Sequence, residues 1–464
     1  MKRIKYLIGI VMVFLPQIML AQKDYDITFW IKDFEDSVLY IKGAFGKDLI
    51  MLDSIRKSPD QSFHWTARKQ FPRLLTASSS QEDMFSFVLD TSLRFSIGIE
   101  PSGFYWVEGC EANEHYLKYQ EENRKIRLAE YQYKLQINNP EQDNKDSVKQ
   151  VYAAARAEWK TFTEDFYIKY PDNLMSVLVR SLKAPNVPDT FLVDGKLKEG
   201  KEMQYADYFR THYWDDFDFD DPRILYTPFF FQRFESYLKK ITVQNSDSIF
   251  ISLKEFCEFA LSKGGKLYAN YILNYYLNHY SRMPFSFNER IYVLLTDFVT
   301  KTAKYYSIPP SELDYHQTLA SKIKPFLPGN RMPNITAVDF GGTRQSLYDQ
   351  KHKYTIVYFW AAGCESCKKD LEVLEEFYRT KKDTFDVEIF SIDLEKEAAV
   401  SAEYHRKHPF EWIVLKAMPE EIEQRYGLDV ELTPELYILD RNKRILNKTV
   451  LYSQIEESLK MLEE

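Results

Sequence analysis

Two cysteines three positions apart, Cys364 and Cys367 in the tetrad Cys-Glu-Ser-Cys, are the residues of this chain whose type and spacing most directly specify chemistry. That separation lets two sulfurs join as a disulfide and part again with little backbone movement, which reversible two-electron exchange requires. The attacking species in such exchange is the thiolate, so anything that lowers a thiol pKa matters. The tetrad is preceded by the apolar, β-type run Tyr354–Trp360 and followed by the helix-forming segment that begins Lys368-Lys369-Asp370. A buried strand is therefore predicted to deliver Cys364 to a helix N-terminus, where unpaired N–H groups and the helix dipole favour the thiolate. Cys367 then lies one turn further on, and Cys364, the more exposed sulfur, is the expected nucleophile.

Glu365 and Lys368 are expected to tune the couple. At about 7 Å, Glu365 opposes the thiolate by roughly 0.6 kcal/mol at water's dielectric and about 2.4 kcal/mol at an effective value of 20. A helix terminus favours the thiolate by about 0.3–1 kcal/mol. The two effects are comparable and opposed, with Lys368 partly offsetting Glu365. Three other readings fit the same cysteines: a static disulfide in an exported chain, a zinc site completed by His405 and His408, and chance spacing. The His-x-x-His interval is shorter than zinc sites usually show. Both histidines are expected on the solvated end of a helix stopped by Pro409, and no metal is expected.

The Phe359-Trp360 pair before the cysteines, the Lys368-Lys369 pair after them and Thr433-Pro434 before another apolar run resemble the TlpA-like and ResA-like thiol-disulfide reductases of the thioredoxin fold. The resemblance covers about the last 130 residues, the size of one ordinary domain. It implies Cys364 and Cys367 as the catalytic pair, with no cofactor beyond their redox-active disulfide. It implies a cis Pro434 opposite that disulfide, with Thr433, Pro434 and Trp360 docking the substrate. ResA-like proteins carry a Glu where this chain has Asp370, so Asp370 is either a proton relay to Cys367 or a solvated helix-face charge. Two positions depart from the pattern: Gly363 stands where a Trp usually precedes the first cysteine, and Tyr358 where thioredoxin has a buried aspartate. The implied partners are disulfide-containing envelope proteins as substrates and a membrane thiol transporter of the DsbD/CcdA type as electron donor.

The elements that position this site belong to the end of a long chain. Its 464 residues suggest roughly three domains at about 150 residues each. With 45% hydrophobic residues it can bury sizeable cores, and a net charge of −8 argues against a nucleic-acid partner. Residues 1–21, with a basic start and an apolar run broken at Pro16, read as a signal peptide, which would place the protein in the periplasm or cell envelope. Residues 22–109 alternate apolar and polar positions between turn signals and read as a β-sandwich. Residues 110–327 change to helical spacing and read as an all-α domain of about seven or eight helices. A Pro/Gly-rich linker then opens the thioredoxin-like α/β domain, residues 328–464.

Within the helical stretch, the segment His212–Pro228 holds five aspartates between Asp215 and Asp221. A calcium loop would need Gly at Asp221 and Glu at Thr227, so an extended segment with Phe217 and Phe219 as a buried edge is the simpler reading. This segment and the β domain resemble a family of secreted Gram-negative proteins in which two domains of unknown function precede a thioredoxin-like one. Cys110 and Cys257 are isolated and read as buried small hydrophobes, a bridge between them being the alternative. The leading functional reading is a periplasmic thiol-disulfide reductase. The alternatives are an envelope binding protein with a structural disulfide and, last, a thiol peroxidase, whose Thr-x-x-Cys signature is absent at Cys364.

Overall fold

The computed structural model describes residues 23–100, 105–137, 145–183, 185–193, 196–282, 286–427, 434–448 and 454–463. The expected signal peptide lies outside the described residues. Two compact units emerge: one holds the chain up to Val243 with Cys257–Tyr271, the other Gln244–Phe256 with Ile272 onward.

The first unit opens with eight strands: β1 (Lys23–Ile31), β2 (Val38–Phe45), β3 (Asp48–Arg56), β4 (Phe63–Gln70), β5 (Arg73–Ser78), β6 (Asp83–Leu89), β7 (Arg94–Ile99) and β8 (Tyr105–Glu108). They form two four-stranded sheets, ordered β4-β1-β7-β8 and β3-β2-β5-β6. Period-two alternation sends one face of each sheet inward. Phe29 of β1 meets Phe87 of β6 edge-on at 5.4 Å, so the core of the sandwich lies between the sheets. A long hairpin of helices α1 (Glu111–Ile137) and α2 (Lys145–Lys169) follows, then α3 (Leu174–Ser181). The buried Asn113 keys α1 to the sandwich, its side-chain amide accepting from Val88 N–H and donating to Val88 C=O.

The helical region is richer than expected. Among the described residues it holds a two-stranded ribbon, β9 (Leu192–Val193) with β10 (Lys196–Leu197), then α4 (Glu202–Thr211), α5 (Pro228–Ser236), α6 (Ser246–Ser262), α7 (Lys266–Tyr280), α8 (Ser286–Thr302) and α9 (Pro310–Ile323). Helices α6 and α7 are divided between the two units. The aspartate-rich segment serves turns and a core. Asp218 Oδ1 accepts from the N–H groups of Asp220 and Asp221, Asp221 pairs with Arg223, and Phe217 and Phe219 are buried with Trp214 and Tyr268. Cys110 and Cys257 are both buried and carry no disulfide.

In the second unit, α8 and α9 pack together, with the Tyr292 hydroxyl 2.8 Å from His316 Nδ1. The remaining chain forms a seven-stranded mixed sheet: β11 (Thr336–Asp339), β12 (Arg344–Ser346), β13 (Tyr354–Trp360), β14 (Val387–Asp393), β15 (Ile413–Lys416), β16 (Glu435–Asp440) and β17 (Ile445–Lys448), in the order β12-β11-β15-β14-β13-β16-β17. Strands β13, β14 and β15 are parallel neighbours, and β16 runs antiparallel to β13. The connecting helices are α10 (Glu365–Phe385), α11 (Ala398–Lys407) and α12 (Pro419–Tyr426), with α13 (Ile455–Met461) at the end. Two apolar clusters occupy the two faces, one around Trp360, Cys367 and Leu371, the other around Phe359, Phe390 and Tyr437. The architecture is therefore a sheet-rich N-terminal region, a helical middle and a C-terminal thioredoxin-like sheet domain. Among the described residues, no helix is long and apolar enough to cross a membrane.

Candidate active site

All seven residues of β13 are buried, because β14 and β16 flank it and both sheet faces are covered. The strand ends at Trp360, and Ala361-Ala362-Gly363 turns the chain into α10. Cys364 is the N-cap residue of that helix, and its Sγ accepts from Cys367 N–H at 3.2 Å. A sulfur so placed meets the unpaired donors and the positive end of the helix dipole, which favour its thiolate. The Ser366 hydroxyl lies 3.2 Å from the same sulfur. Cys364 and Cys367 are joined as a disulfide. Cys364 is partly exposed and Cys367 wholly buried, so an incoming thiolate or disulfide reaches Cys364 first.

The turn before Cys364 is held by carboxylates that the sequence reading did not single out. Parallel pairing sets Asp393, the last residue of β14, beside Trp360. Its side chain is fully buried, and Oδ1 accepts from Ala362 N–H at 3.2 Å and from Glu395 N–H at 3.0 Å. Oδ2 accepts from the Ser401 hydroxyl at 2.5 Å and meets His405 Nε2 at 3.1 Å. Burial alone would raise the Asp393 pKa, but the bonds from His405, Ser401 and Glu395 outweigh it and hold the carboxyl below its ordinary value. Glu395 in turn accepts from Gly363 N–H at 2.7 Å. A Cβ at position 363 would lie 2.6 Å from that carboxylate oxygen, so the missing side chain there makes room for Glu395.

The expected site residues fall into place unevenly. Glu365 and Lys368 form an ion pair beside Cys364, and the bond from Lys368 holds the Glu365 carboxyl below its usual range. Asp370 is half-buried on α10, and burial pushes its carboxyl up to about 6. Tyr358, where an acid was the alternative, is buried, and its hydroxyl donates to the Cys367 carbonyl at 3.4 Å. Pro434 is half-buried immediately before β16, whereas Thr433, and with it the Thr433-Pro434 peptide bond, lies outside the described residues.

Trp360 and His405 correct the expectation, whereas His408 bears it out. Trp360 is completely buried and packs on Tyr404, His405 and Phe410, so it has no surface to offer a substrate; a strand covered on both faces cannot present its last side chain outward. The His405 side chain is only 10% exposed, stacked on Phe340 at 3.6 Å and bonded to Asp393 rather than solvated. His408 is exposed at the C-terminal cap of α11, directly before Pro409 as expected, and stacks on Tyr404. Among the described residues, no three His, Cys, Asp or Glu side chains converge as a metal site would require.

Comparison with known proteins bears on this geometry. The model of the AhpC/TSA family matches residues 328–448, and that of a domain of unknown function, DUF5106, matches residues 176–317. The thiol-disulfide oxidoreductase ResA of Bacillus thuringiensis is 25% identical over 137 residues, 29% of this chain and 78% of that protein. ResA of Bacillus anthracis is 24% identical over 131 residues, 28% of this chain and 73% of that one. Among solved structures, a thioredoxin-like protein from Bacteroides caccae is 19% identical and aligns over 60% of this chain and 98% of its own, with a TM-score of 0.47. The thioredoxin domain of a thiol-disulfide oxidoreductase from Bacteroides vulgatus is 24% identical over 28% of this chain and 97% of its own, with a TM-score of 0.26. A thioredoxin-like domain of the AhpC/TSA kind, similar in sequence to ResA and carrying a Cys364–Cys367 disulfide at a helix N-terminus, makes this chain a multidomain thiol-disulfide oxidoreductase.

Proposed function

We propose that the protein is an exported reductase of disulfides in envelope proteins, working through Cys364 and Cys367. In the reduced form the Cys364 thiolate attacks one sulfur of a substrate disulfide, forming a mixed disulfide and releasing the other sulfur as a thiolate, which takes up a proton. Cys367, once deprotonated, attacks Cys364 Sγ, closing the internal disulfide and releasing the second substrate sulfur. The substrate gains two electrons and the Cys pair loses two, so a dithiol donor must restore the pair. A membrane thiol transporter of the DsbD/CcdA type is the donor assigned here.

The remaining residues have roles in this scheme. Asp370, its carboxyl pushed up to about 6 by burial, is the group on α10 suited to hand a proton to or from Cys367. Glu365 and Lys368 set the local charge at Cys364, and the Thr433-Pro434 turn offers its backbone to the substrate as a short strand. Export to the periplasm follows from the character of residues 1–21. The observation that carries the reading is the asymmetry of the pair: a partly exposed Cys364 at the helix N-terminus with Cys367 wholly buried behind it.

Trapping tests it. Cys367→Ala leaves the first step intact and blocks the second, so mixed disulfides with envelope proteins should accumulate, whereas Cys364→Ala should trap little. Recovering no adduct from either variant, with the wild-type pair staying oxidised in the cell, would sink the reductase reading in favour of a structural disulfide.

A further inference from the structure

Glu435 directly follows Pro434, opens β16 and pairs with Phe359 of β13. Side chains alternate along a strand, so Glu435 and Tyr437 share the sheet face opposite Leu436 and Ile438, which pack in the cluster that holds Cys367. On that opposite face Lys448 of β17 donates to both carboxylate oxygens of Glu289, at 2.8 Å each, and lies 3.3 Å from Glu435 Oε1. The Tyr437 hydroxyl donates to Glu435 Oε2. The side chains of Lys448, Glu289 and Glu435 are 3%, 5% and 7% exposed. Both oxygens of Glu435 are thus engaged, and the ammonium donates to both oxygens of Glu289 while pairing with Glu435 Oε1. A buried network with its members satisfied in this way fixes the backbone that carries it.

Glu289 comes from α8, far earlier in the chain than Glu435 and inside the stretch matched by the domain of unknown function. Nothing in the chemistry of disulfide exchange calls for this carboxylate, and it lies on the sheet face away from Cys367. Without it, Lys448 would have Glu435 as its one carboxylate partner in the set, and the ammonium would be free to pull Glu435 out of its present position. Burial pushes the Glu435 carboxyl up and Lys448 opposes that, so the position of the ammonium also governs the charge of the residue next to Pro434.

We propose that Glu289 is a positioning residue for the redox site: helix α8 supplies a buried carboxylate that holds Lys448 against Glu435, and so fixes the Pro434 end of β16 for docking of an extended, disulfide-bearing polypeptide. The helical region thereby sets how tightly the thioredoxin-like domain takes a polypeptide substrate, as distinct from a small disulfide that needs no strand pairing. A turn fixed before binding loses less freedom on docking, and the gain appears as affinity. The inference rests on the reading that the Pro434 turn docks the substrate.

The test uses the full chain with dithiothreitol as donor, insulin as the polypeptide disulfide and oxidised glutathione as the small one. Glu289→Gln should raise KM for insulin about tenfold, while kcat and the rate with oxidised glutathione stay within about twofold. Amide exchange should quicken at Glu435–Tyr437 and not throughout the sheet. Equal slowing with both disulfides, or a uniform loss of protection, would reduce Glu289 to a stability residue and overturn the proposal. Should Glu289→Gln not fold, Lys448→Met must show the same split between the two disulfides. Pro434→Ala separates the two ideas. If it leaves KM for insulin unchanged, the docking reading falls and the proposal with it; if it raises KM while Glu289→Gln does not, the proposal alone falls.

Discussion

Removing the Asp393 carboxylate should loosen the turn that presents Cys364, and the structure gives the size of the effect. Asp393→Ala deletes the acceptor of four hydrogen bonds. The Ser401 hydroxyl and the His405 ring can find other partners, so their loss counts about 1 kcal/mol each; the half-buried Glu395 can turn its N–H to water and adds little, while a buried N–H left orphaned at Ala362 costs about 1–3 kcal/mol. The expected loss of stability is therefore about 3–5 kcal/mol for the alanine variant. Asp393→Asn keeps an oxygen facing Ala362 and Glu395 and gives up only acceptance from Ser401 and His405, so about 1–2 kcal/mol is expected. Urea unfolding of the oxidised proteins reads these differences. Iodoacetamide alkylation of the reduced proteins at neutral pH should also run slower in the alanine variant, because a sulfur no longer held at the helix cap loses thiolate. The sign of the pH dependence is fixed by the lowered Asp393 pKa. Its contribution is fully present above its unfolded pKa of about 3.9 and is lost as pH falls through the lower folded value. The gap between wild type and Asp393→Asn should accordingly close in acid. A loss below about 1 kcal/mol in Asp393→Ala with unaltered alkylation would refute the argument that this carboxylate holds the turn.

Other outcomes follow from the same physics. Asp370 has a raised pKa, so the folded state holds its proton more tightly than the unfolded chain, and its contribution to stability falls as pH rises from about 4 to 6. Asp370→Asn should flatten that slope in pH-dependent melts and slow the Cys367 step above it; an unchanged slope would count against the raised value. Trp360→Ala should cost about 3–5 kcal/mol through the cavity it leaves. A variant that keeps its stability but raises KM for insulin would return Trp360 to the docking surface. A chain beginning at residue 328 should still melt cooperatively, yet at a lower temperature, because Lys448 loses its buried partner Glu289. Equal melting temperatures would mean that Glu289 contributes nothing to the sheet.

The parts of this site that were legible in the sequence are local ones. Seven consecutive apolar or β-forming residues before Cys364 and a lysine-rich helical run after Cys367 identify strand, turn and helix without any distant information. Asp393, Glu395, Ser401 and His405 were not legible, because only the parallel register of β14 beside β13 brings them to the turn. Asp393 follows a run of β-forming residues and could have drawn notice as an acid closing a buried strand. His405 misled, since the sequence His-Arg-Lys-His-Pro looks like a solvated helix end, and the β11–β12 hairpin that brings Phe340 onto it lies more than sixty positions earlier. Trp360 misled in the other direction: the resemblance implied a docking role for it, while the coverage of β13 on both faces required burial. Lys448 and Glu289, 159 residues apart, leave no periodic trace at all. The helical region was undercounted because Pro and Gly breaks divide it into shorter pieces than the hydrophobic stripes imply.

The contact between Gly363 and Glu395 couples any change at one position to the other. A side chain at 363 must displace the Glu395 carboxylate and release the N–H group that it accepts, so any substitution there also alters the turn that presents the nucleophile. Shortening Glu395 first opens the space, but leaves that N–H for water until something fills it. The two positions, 32 residues apart, are thus coupled: an aromatic side chain beside Cys364 makes the flexible Glu395 side chain swing aside and forfeits its bond from Gly363 N–H. Selection for a more hydrophobic substrate would meet that coupling before it met any demand of the redox chemistry itself.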